Sequence, residues 1–275
     1  MLKPLTLLTL LLLPAAATLA QPAISYPPVA PLVSIEAVMQ LPVGKPVALH
    51  RYGTAPSQYA ELWLPAGTRH KLPVVAFIHG GCWLSEYSIE HSHALATALT
   101  QAGYAVWNIE YRRVGESGGG WPGSLQDITA ALELLHTLQT ERIDLTAMVI
   151  AGHSAGGHLA LLSATKNSRV IGLAPIVDIA EYARGTSSCN TAAVQFMGGT
   201  PNKVPALYQA ATPATPGQQS NYRVLMGTQD HIVPAQTDYL PTGYLQWSDA
   251  GHFDWIHPGT PAWQEFLDQL QNILP

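Results

Sequence analysis

A serine between two glycines is the residue of this sequence best placed to do chemistry. The stretch AGHSAGGHLA, residues 151–160, puts Ser154 between Gly152 and Gly156 in the pattern G-x-S-x-G. A predicted buried strand precedes this pattern and a predicted helix follows it. A sharp turn there needs small residues on both sides, and a helix start favours negative charge that develops beside it. The context therefore indicates an activated nucleophile rather than a serine in an ordinary glycine-rich turn.

A serine hydroxyl is a weak nucleophile unless a base accepts its proton, and the end of the chain supplies one. His252 follows the last predicted strand, and Asp230 follows the strand before it. The chain order Ser154, Asp230, His252 is the order of nucleophile, acid and base expected for a serine at a strand–turn–helix junction of this kind. We predict that these three residues form a catalytic triad.

Other residues compete for the two supporting roles. His257 is a second histidine near the end of the chain, but a proline follows it at the start of the last predicted helix. Asp178 follows an earlier predicted strand, and Asp238 lies further into a helical stretch. Asp230 directly follows its strand and so has the better position for the acid.

A glycine turn follows the predicted strand Pro73–His79 in the sequence FIHGGCWL. Backbone N–H groups in such a turn stabilise the oxyanion of a tetrahedral intermediate. We predict that the donors are the N–H groups of Gly81, Cys82 and Ala155. His79 is expected to hold this loop in place by hydrogen bonds.

The rest of the chain alternates between strand and helix patterns, which indicates an α/β fold with a mostly parallel sheet covered on both faces. The predicted strands are Gln58–Leu64, Pro73–His79, Gly103–Ile109, Ala147–Gly152, Arg169–Pro175, Tyr222–Thr228 and Gly243–Trp247. The predicted helices cover residues 90–101, 124–138, 155–165 and 261–274. Ser124 and Asp127 have the spacing of a capping box at the start of the second helix.

Three further segments have distinct patterns. Residues 1–20 combine Lys3, an apolar run over Leu5–Leu13 and small residues, as a secretory signal peptide does. The apolar run is shorter than the ~20 residues that span a bilayer, so we expect an exported, periplasmic or secreted protein with no membrane span in the mature chain. Residues 21–57 are expected to form an extended arm before a catalytic domain over 58–275, and residues 178–216 a small lid.

Composition excludes some partners. Charged residues make up only 11% of the 275 residues, and the net charge of −5 includes no long basic run, so nucleic acid is not an expected partner. The histidines show no metal-ligand spacing, and we expect no metal site. His158 is expected to be a hydrogen-bonded histidine on the helix behind the serine. Cys82 and Cys189 are far apart in sequence, and we expect no structural disulfide between them.

The segments HGGCW, GHSAGGH, TQDHIVP and GHFD resemble the α/β-hydrolase superfamily, and within it the bacterial esterases related to hormone-sensitive lipase and to kynurenine formamidase (arylformamidase). The resemblance implies the α/β-hydrolase fold, no cofactor, and acyl transfer to water by Ser154, Asp230 and His252. Cys82 stands where an aromatic residue or a third glycine is more usual, which leaves the subgroup open.

Two activities share this machinery. A carboxylesterase cleaves an ester with a small acyl group, and an arylformamidase cleaves the formamide of an arylamine. The expected export favours the esterase, and an arm too short for a large helical cap favours short acyl chains. The alternative of another class is a non-catalytic binding protein on a hydrolase scaffold, although no triad residue is missing here. The oligomeric state stays open.

Overall fold

The computed structural model describes residues 23–67, 70–138, 142–213, 221–235 and 245–275. The strands in these ranges form one sheet with the order β1-β2-β4-β3-β5-β6-β7-β8. Their bounds are Ala48–Arg51 (β1), Tyr59–Trp63 (β2), Leu72–Ile78 (β3), Ala105–Ile109 (β4), Ile143–His153 (β5), Arg169–Leu173 (β6), Asn221–Gly227 (β7) and Leu245–Ser248 (β8). β2 pairs antiparallel with β1 and β4, and every other neighbouring pair is parallel.

The central strands are apolar on both faces, as parallel strands between two helix layers must be. In β3, Val74, Ala76 and Ile78 point into one buried cluster, and Val75 and Phe77 point into the other. This alternation follows from the two-residue period of a strand. The sheet therefore separates two cores.

Helices cover both faces of the sheet. Their bounds are Ile35–Met39 (α1), His93–Gln101 (α2), Gly123–Thr137 (α3), Ala155–Leu162 (α4), Ile179–Tyr182 (α5), Ser188–Met197 (α6), Pro205–Ala210 (α7) and Pro261–Ile273 (α8), with 3-10 turns at Ile89–Ser92 and Asp254–Ile256. α3 and α4 pack into the core that contains Val74 and Ile78, and α2 and α8 pack into the core that contains Phe77. The predicted fold class, a mostly parallel sheet between helix layers, is confirmed.

Residues 23–34 have no helix or strand. The helix α1 follows them, and β1 then forms the edge strand of the sheet. The predicted signal peptide at residues 1–20 and the first residues of the predicted strand Gly243–Trp247 lie outside the described residues. Within the described ranges, no helix has both the length and the apolar character needed to cross a membrane.

The predicted capping box at the start of α3 is wrong. α3 begins at Gly123, so Ser124 lies inside the helix, and its hydroxyl donates to the carbonyl oxygen of Arg112 at 2.6 Å. The Asp127 carboxylate accepts two bonds from the Arg112 guanidinium, at 2.8 and 2.6 Å, and one from Gln58 at 2.7 Å. A two-pronged bond to a cation is stronger than a bond to one backbone N–H, and spacing along the helix does not reveal it.

Candidate active site

Ser154 lies at the junction of β5 and α4, with φ 55° and ψ −120°. A non-glycine residue rarely adopts a positive φ, and such residues concentrate at functional sites. The flanking glycines allow this turn: a Cβ on Gly152 would collide with the backbone of Gly156, and a Cβ on Gly156 would collide with the backbone of Ile78 and His79. The turn holds the serine side chain at the carboxyl edge of the sheet.

His252 and Asp230 form a buried pair at the same edge. The imidazole Nδ1 lies 2.7 Å from Asp230 Oδ2, and the other carboxylate oxygen accepts the N–H groups of Ile232 and Val233, both at 2.8 Å. Because an ionised carboxylate only accepts, the proton between the two side chains belongs to Nδ1. The opposite ring nitrogen, Nε2, is then an acceptor and can serve as a base.

Ser154 and His252 line one cavity of about 290 Å³. Gly81 and Cys82 from the loop after β3 line it too, and Phe253 lies beside the histidine. The cavity sits where the carboxyl ends of the parallel strands meet, the usual place for a ligand in a sheet of this kind. The structure thus brings together residues that the sequence separates by more than 150 positions.

The loop after β3 has an unusual backbone. Gly81, Cys82 and Trp83 have φ angles of 101°, 52° and 57° in succession. Among the hydrogen bonds of the described residues, none uses the N–H of Gly81 or Cys82. Ala155 begins α4, where the first N–H groups have no acceptor inside the helix. These are the three predicted oxyanion donors, and two of them lie on the cavity wall.

Buried polar groups hold this loop from behind. His79 Nδ1 lies 2.8 Å from the Gly80 carbonyl oxygen and its Nε2 lies 2.8 Å from Glu110. The Gly80 N–H donates to His91 Nε2 at 3.2 Å. Burial opposes ionisation of Glu110, but His79 and Arg113 outweigh it and hold the pKa of this carboxyl below its usual value. The role of Glu110 was not predicted from the sequence, although a carboxylate directly after an apolar strand could have indicated a residue near the site.

Three buried histidines near the site stay neutral at pH 7. Burial, with the neighbouring His79, lowers the pKa of His91 well below its usual value, and burial with His252 does the same for His153. Burial lowers the pKa of His158 to about 4. Its Nε2 lies 2.7 Å from a backbone carbonyl oxygen, so this residue has the predicted hydrogen-bonded role behind the serine. In the described part of the chain, no three histidine, cysteine or acidic residues group as metal ligands.

Cys82 and Cys189 form a disulfide with Cα atoms 5.2 Å apart, so the expectation of no disulfide is wrong. The reason lies in α6, which starts at a capping box made by Ser187 and Asn190 and puts Cys189 in its first turn. Ser188 and Cys189 line the same cavity as Cys82, next to the loop after β3. A separation of 107 residues hides this proximity from sequence reasoning.

The segment 178–216, expected as a small lid, is described as far as residue 213; it contains α5, α6 and α7 and supplies the cavity wall at residues 187–189. The rival acid Asp178 caps α5 by accepting the Glu181 N–H at 2.9 Å. The rival base His257 accepts the Gly259 N–H at 3.1 Å and does not line the cavity. Asp238 lies outside the described residues.

The sheet order and the site at its carboxyl edge define an α/β-hydrolase, as the resemblance of the sequence segments implied. The sequence profile of the BD-FAE family matches residues 60–241, more than half of the chain. This chain belongs to the BD-FAE family.

Individual relatives agree with this assignment. Esterase LipC of Mycobacterium tuberculosis (strain ATCC 25618 / H37Rv) is 24% identical over 265 residues, which cover 80% of this chain and 64% of LipC. The probable isoprenylcysteine alpha-carbonyl methylesterase ICME of Oryza sativa subsp. japonica is 29% identical over 123 residues, 43% of this chain and 29% of that protein. This chain thus spans less than two thirds of the length of either relative.

Among solved structures, esterase B from Lactobacillus rhamnosis superposes with a TM-score of 0.70 at 21% identity, covering 87% of this chain and 89% of that one. A truncated carbohydrate esterase from gut microbiota superposes with a TM-score of 0.70 at 19% identity, covering 84% and 96%. At these identities the likeness establishes the fold.

Proposed function

We propose that this protein is an exported serine hydrolase that cleaves short-chain carboxylic esters. The observation that carries the proposal is that His252, which Asp230 binds from behind at 2.7 Å, lines the same cavity as Ser154 at its positive-φ turn. A base oriented by a buried carboxylate beside a serine is the arrangement that activates a hydroxyl for attack.

In the proposed mechanism, the Nε2 atom of His252 takes the hydroxyl proton of Ser154 while the oxygen attacks the ester carbonyl carbon. The carbonyl oxygen becomes an oxyanion that the N–H groups of Gly81, Cys82 and Ala155 stabilise. The intermediate collapses to an acyl-enzyme, and His252 returns the proton to the departing alcohol. A water molecule repeats both steps on the acyl-enzyme and releases the acid.

The surroundings of His252 favour the charge that this mechanism creates. Asp230 lies against the imidazole and stabilises the imidazolium that forms in each transition state. His153, whose ring centroid lies 4.7 Å from that of His252, is neutral and adds no opposing positive charge. The Nε2 of His153 lies 2.9 Å from the backbone carbonyl of His252, which also fixes the position of the base.

The cavity volume supports short acyl chains as substrates, and the disulfide supports export. The cavity of about 290 Å³ lies at the lower end of the range for ligand sites, ~300–1,000 Å³, and the Cys82–Cys189 bridge forms part of its wall. Such a cavity surrounds a short acyl chain better than a long one. A disulfide forms and persists in oxidising compartments, which supports export.

The test is a panel of p-nitrophenyl acetate, butyrate and octanoate with N-formylkynurenine, on wild type, Ser154→Ala and the matched control Ser163→Ala. Ser163 caps the far end of α4, and its hydroxyl bonds the Ala160 carbonyl oxygen outside the cavity. We expect ester turnover in wild type and the control, and a loss of about 10⁴-fold in Ser154→Ala. Turnover of N-formylkynurenine without ester turnover would assign the arylformamidase activity instead.

A further inference from the structure

Asp254 is a buried carboxylate that binds two segments more than 200 residues apart in sequence. Its Oδ2 accepts the N–H groups of Leu32 at 2.8 Å and Gly251 at 2.7 Å, and its Oδ1 accepts the N–H of Val33 at 2.8 Å. None of the ion pairs in the described ranges includes this carboxylate, whose residue is fully buried. The bonded N–H groups come from the N-terminal arm and from the loop after β8 that carries His252, residues 249–253, called the histidine loop below.

The arm has an unusual backbone conformation and close packing at this contact. Leu32 has a φ of 70°, a conformation that leucine seldom adopts without compensating contacts. A Cβ on Gly251 would lie 3.2 Å from the Leu32 side chain, so the arm and the histidine loop are in close contact. A second bond, from the Val29 N–H to the Gly259 carbonyl oxygen at 2.9 Å, holds the arm to the same region.

Residues close in sequence to those that Asp254 binds line the active-site cavity. Ile35, at the start of α1, and Phe253 both line the cavity. His252 lies between Gly251, whose N–H Asp254 binds, and Phe253. One carboxylate thus binds both the arm that leads to Ile35 and the loop that carries the base.

We propose that Asp254 is a positioning residue that holds arm residues 32–35 so that Ile35 forms one wall of the ester site, and that Ile35 determines which ester chain lengths the enzyme accepts. The proposal rests on the ester hydrolase function proposed above. Asp254 does not line the cavity, so it acts on substrate choice only through the two segments that it binds, and the proposal assigns this effect to the arm.

The substitution Asp254→Asn tests this role, because it removes a hydrogen-bond acceptor and leaves the side-chain volume almost unchanged. An asparagine oxygen at the Oδ2 position keeps the bonds to Leu32 and Gly251, but its NH₂ group then faces the Val33 N–H. Two donors facing each other in a buried site repel, so the arm loosens while the histidine loop keeps its bond. Asp249→Asn is the matched control, because this residue of the same loop is exposed and its hydrogen bond within the described ranges is a long one, 3.4 Å from the Thr228 hydroxyl.

The kinetic test is the ratio of kcat/KM for p-nitrophenyl octanoate to that for p-nitrophenyl butyrate. Each additional buried CH₂ is worth about fourfold in binding. Room for two more methylenes after Ile35→Ala is expected to raise the ratio by about 16-fold. Asp254→Asn is expected to raise it in the same direction, Asp249→Asn to leave it unchanged, and Ile35→Ala to add less than twofold in the Asp254→Asn background.

An equal fall of kcat/KM for both esters in Asp254→Asn would overturn the proposal, since it would indicate general structural damage. Ile35→Ala breaks no hydrogen bond of its own side chain, so it tests the wall even where Asp254→Asn fails to fold. An unchanged ratio in Ile35→Ala would overturn the specificity role.

Hydrogen–deuterium exchange tests the contact without substrate. Peptides covering residues 30–36 are expected to exchange at least tenfold faster in Asp254→Asn than in Asp249→Asn, and unchanged exchange would overturn the positioning role. Faster exchange in a protein whose wild type cleaves no ester would support the positioning role and refute the ester hydrolase function, so the two failures are distinguishable.

Discussion

Removing the Cys82–Cys189 disulfide is expected to lower stability by an amount that follows from the ring it closes. The double substitution Cys82→Ala and Cys189→Ala opens a ring spanned by 107 residues. Closing such a ring in the unfolded chain costs entropy that corresponds to about 4.8 kcal/mol at 25 °C. For a domain of this size, ~2–4 °C of Tm per kcal/mol converts this value into a fall of roughly 10–19 °C.

Guanidinium unfolding followed by circular dichroism, with and without dithiothreitol, measures this effect. Reduced wild type is expected to unfold with the free energy of the double alanine variant, and the reductant is expected to leave the variant unchanged. Thiol titration of the native wild-type protein is expected to find no free thiol. Two free thiols per chain, or equal stability of variant and wild type without reductant, would refute the reasoning.

Further predictions concern the acid, the buried histidines and the substrate range. Asp230→Asn is expected to lower kcat about 10⁴-fold in the ester assay, while Asp178→Asn leaves kcat within a few fold; a larger loss in Asp178→Asn would move the acid to β6. His91, His153 and His158 are neutral when folded and take up protons near their usual pKa of about 6.5 when unfolded. Their contribution to stability is therefore fully present above that pH and is lost as pH falls toward 4, by up to about 4 kcal/mol per pH unit for three protons. Urea unfolding between pH 7 and 4 is expected to show this slope, and a His158→Gln variant with an undiminished slope would contradict it. Finally, kcat/KM is expected to peak at acyl chains of about two to four carbons and to decline by eight, and a preference for long chains would contradict the small cavity.

The sequence predicts most of the fold because apolar runs and helical spacing directly reflect burial. β3, β6 and β7 lie within a residue or two of their predicted bounds, and each predicted site residue follows the end of a strand. Parallel strands place such positions at one edge of the sheet, which is why the positions of Ser154, Asp230 and His252 after strand ends led to the prediction that they form one site.

The features that sequence reasoning missed depend on contacts across the folded chain. The disulfide needs α6 to lie over the loop after β3, and the Asp127–Arg112 pair depends on a loop outside the helix that contains Asp127. In the sequence, Asp254 is likewise one acidic residue of GHFD, and its bonds to the arm exist only in the folded chain. Spacing within one element contains no information about such partners.

The central claim is that Ser154 forms a covalent acyl-enzyme, and covalent labelling tests it most directly. Wild-type protein is treated with a p-nitrophenyl alkylphosphonate, and the modified peptide is located by mass spectrometry. We expect one phosphonyl group per chain on Ser154, complete loss of ester turnover, and no labelling after Ser154→Ala or Asp230→Asn on the same time scale. Labelling at another residue, or ester turnover that persists while Ser154 is fully modified, would contradict it.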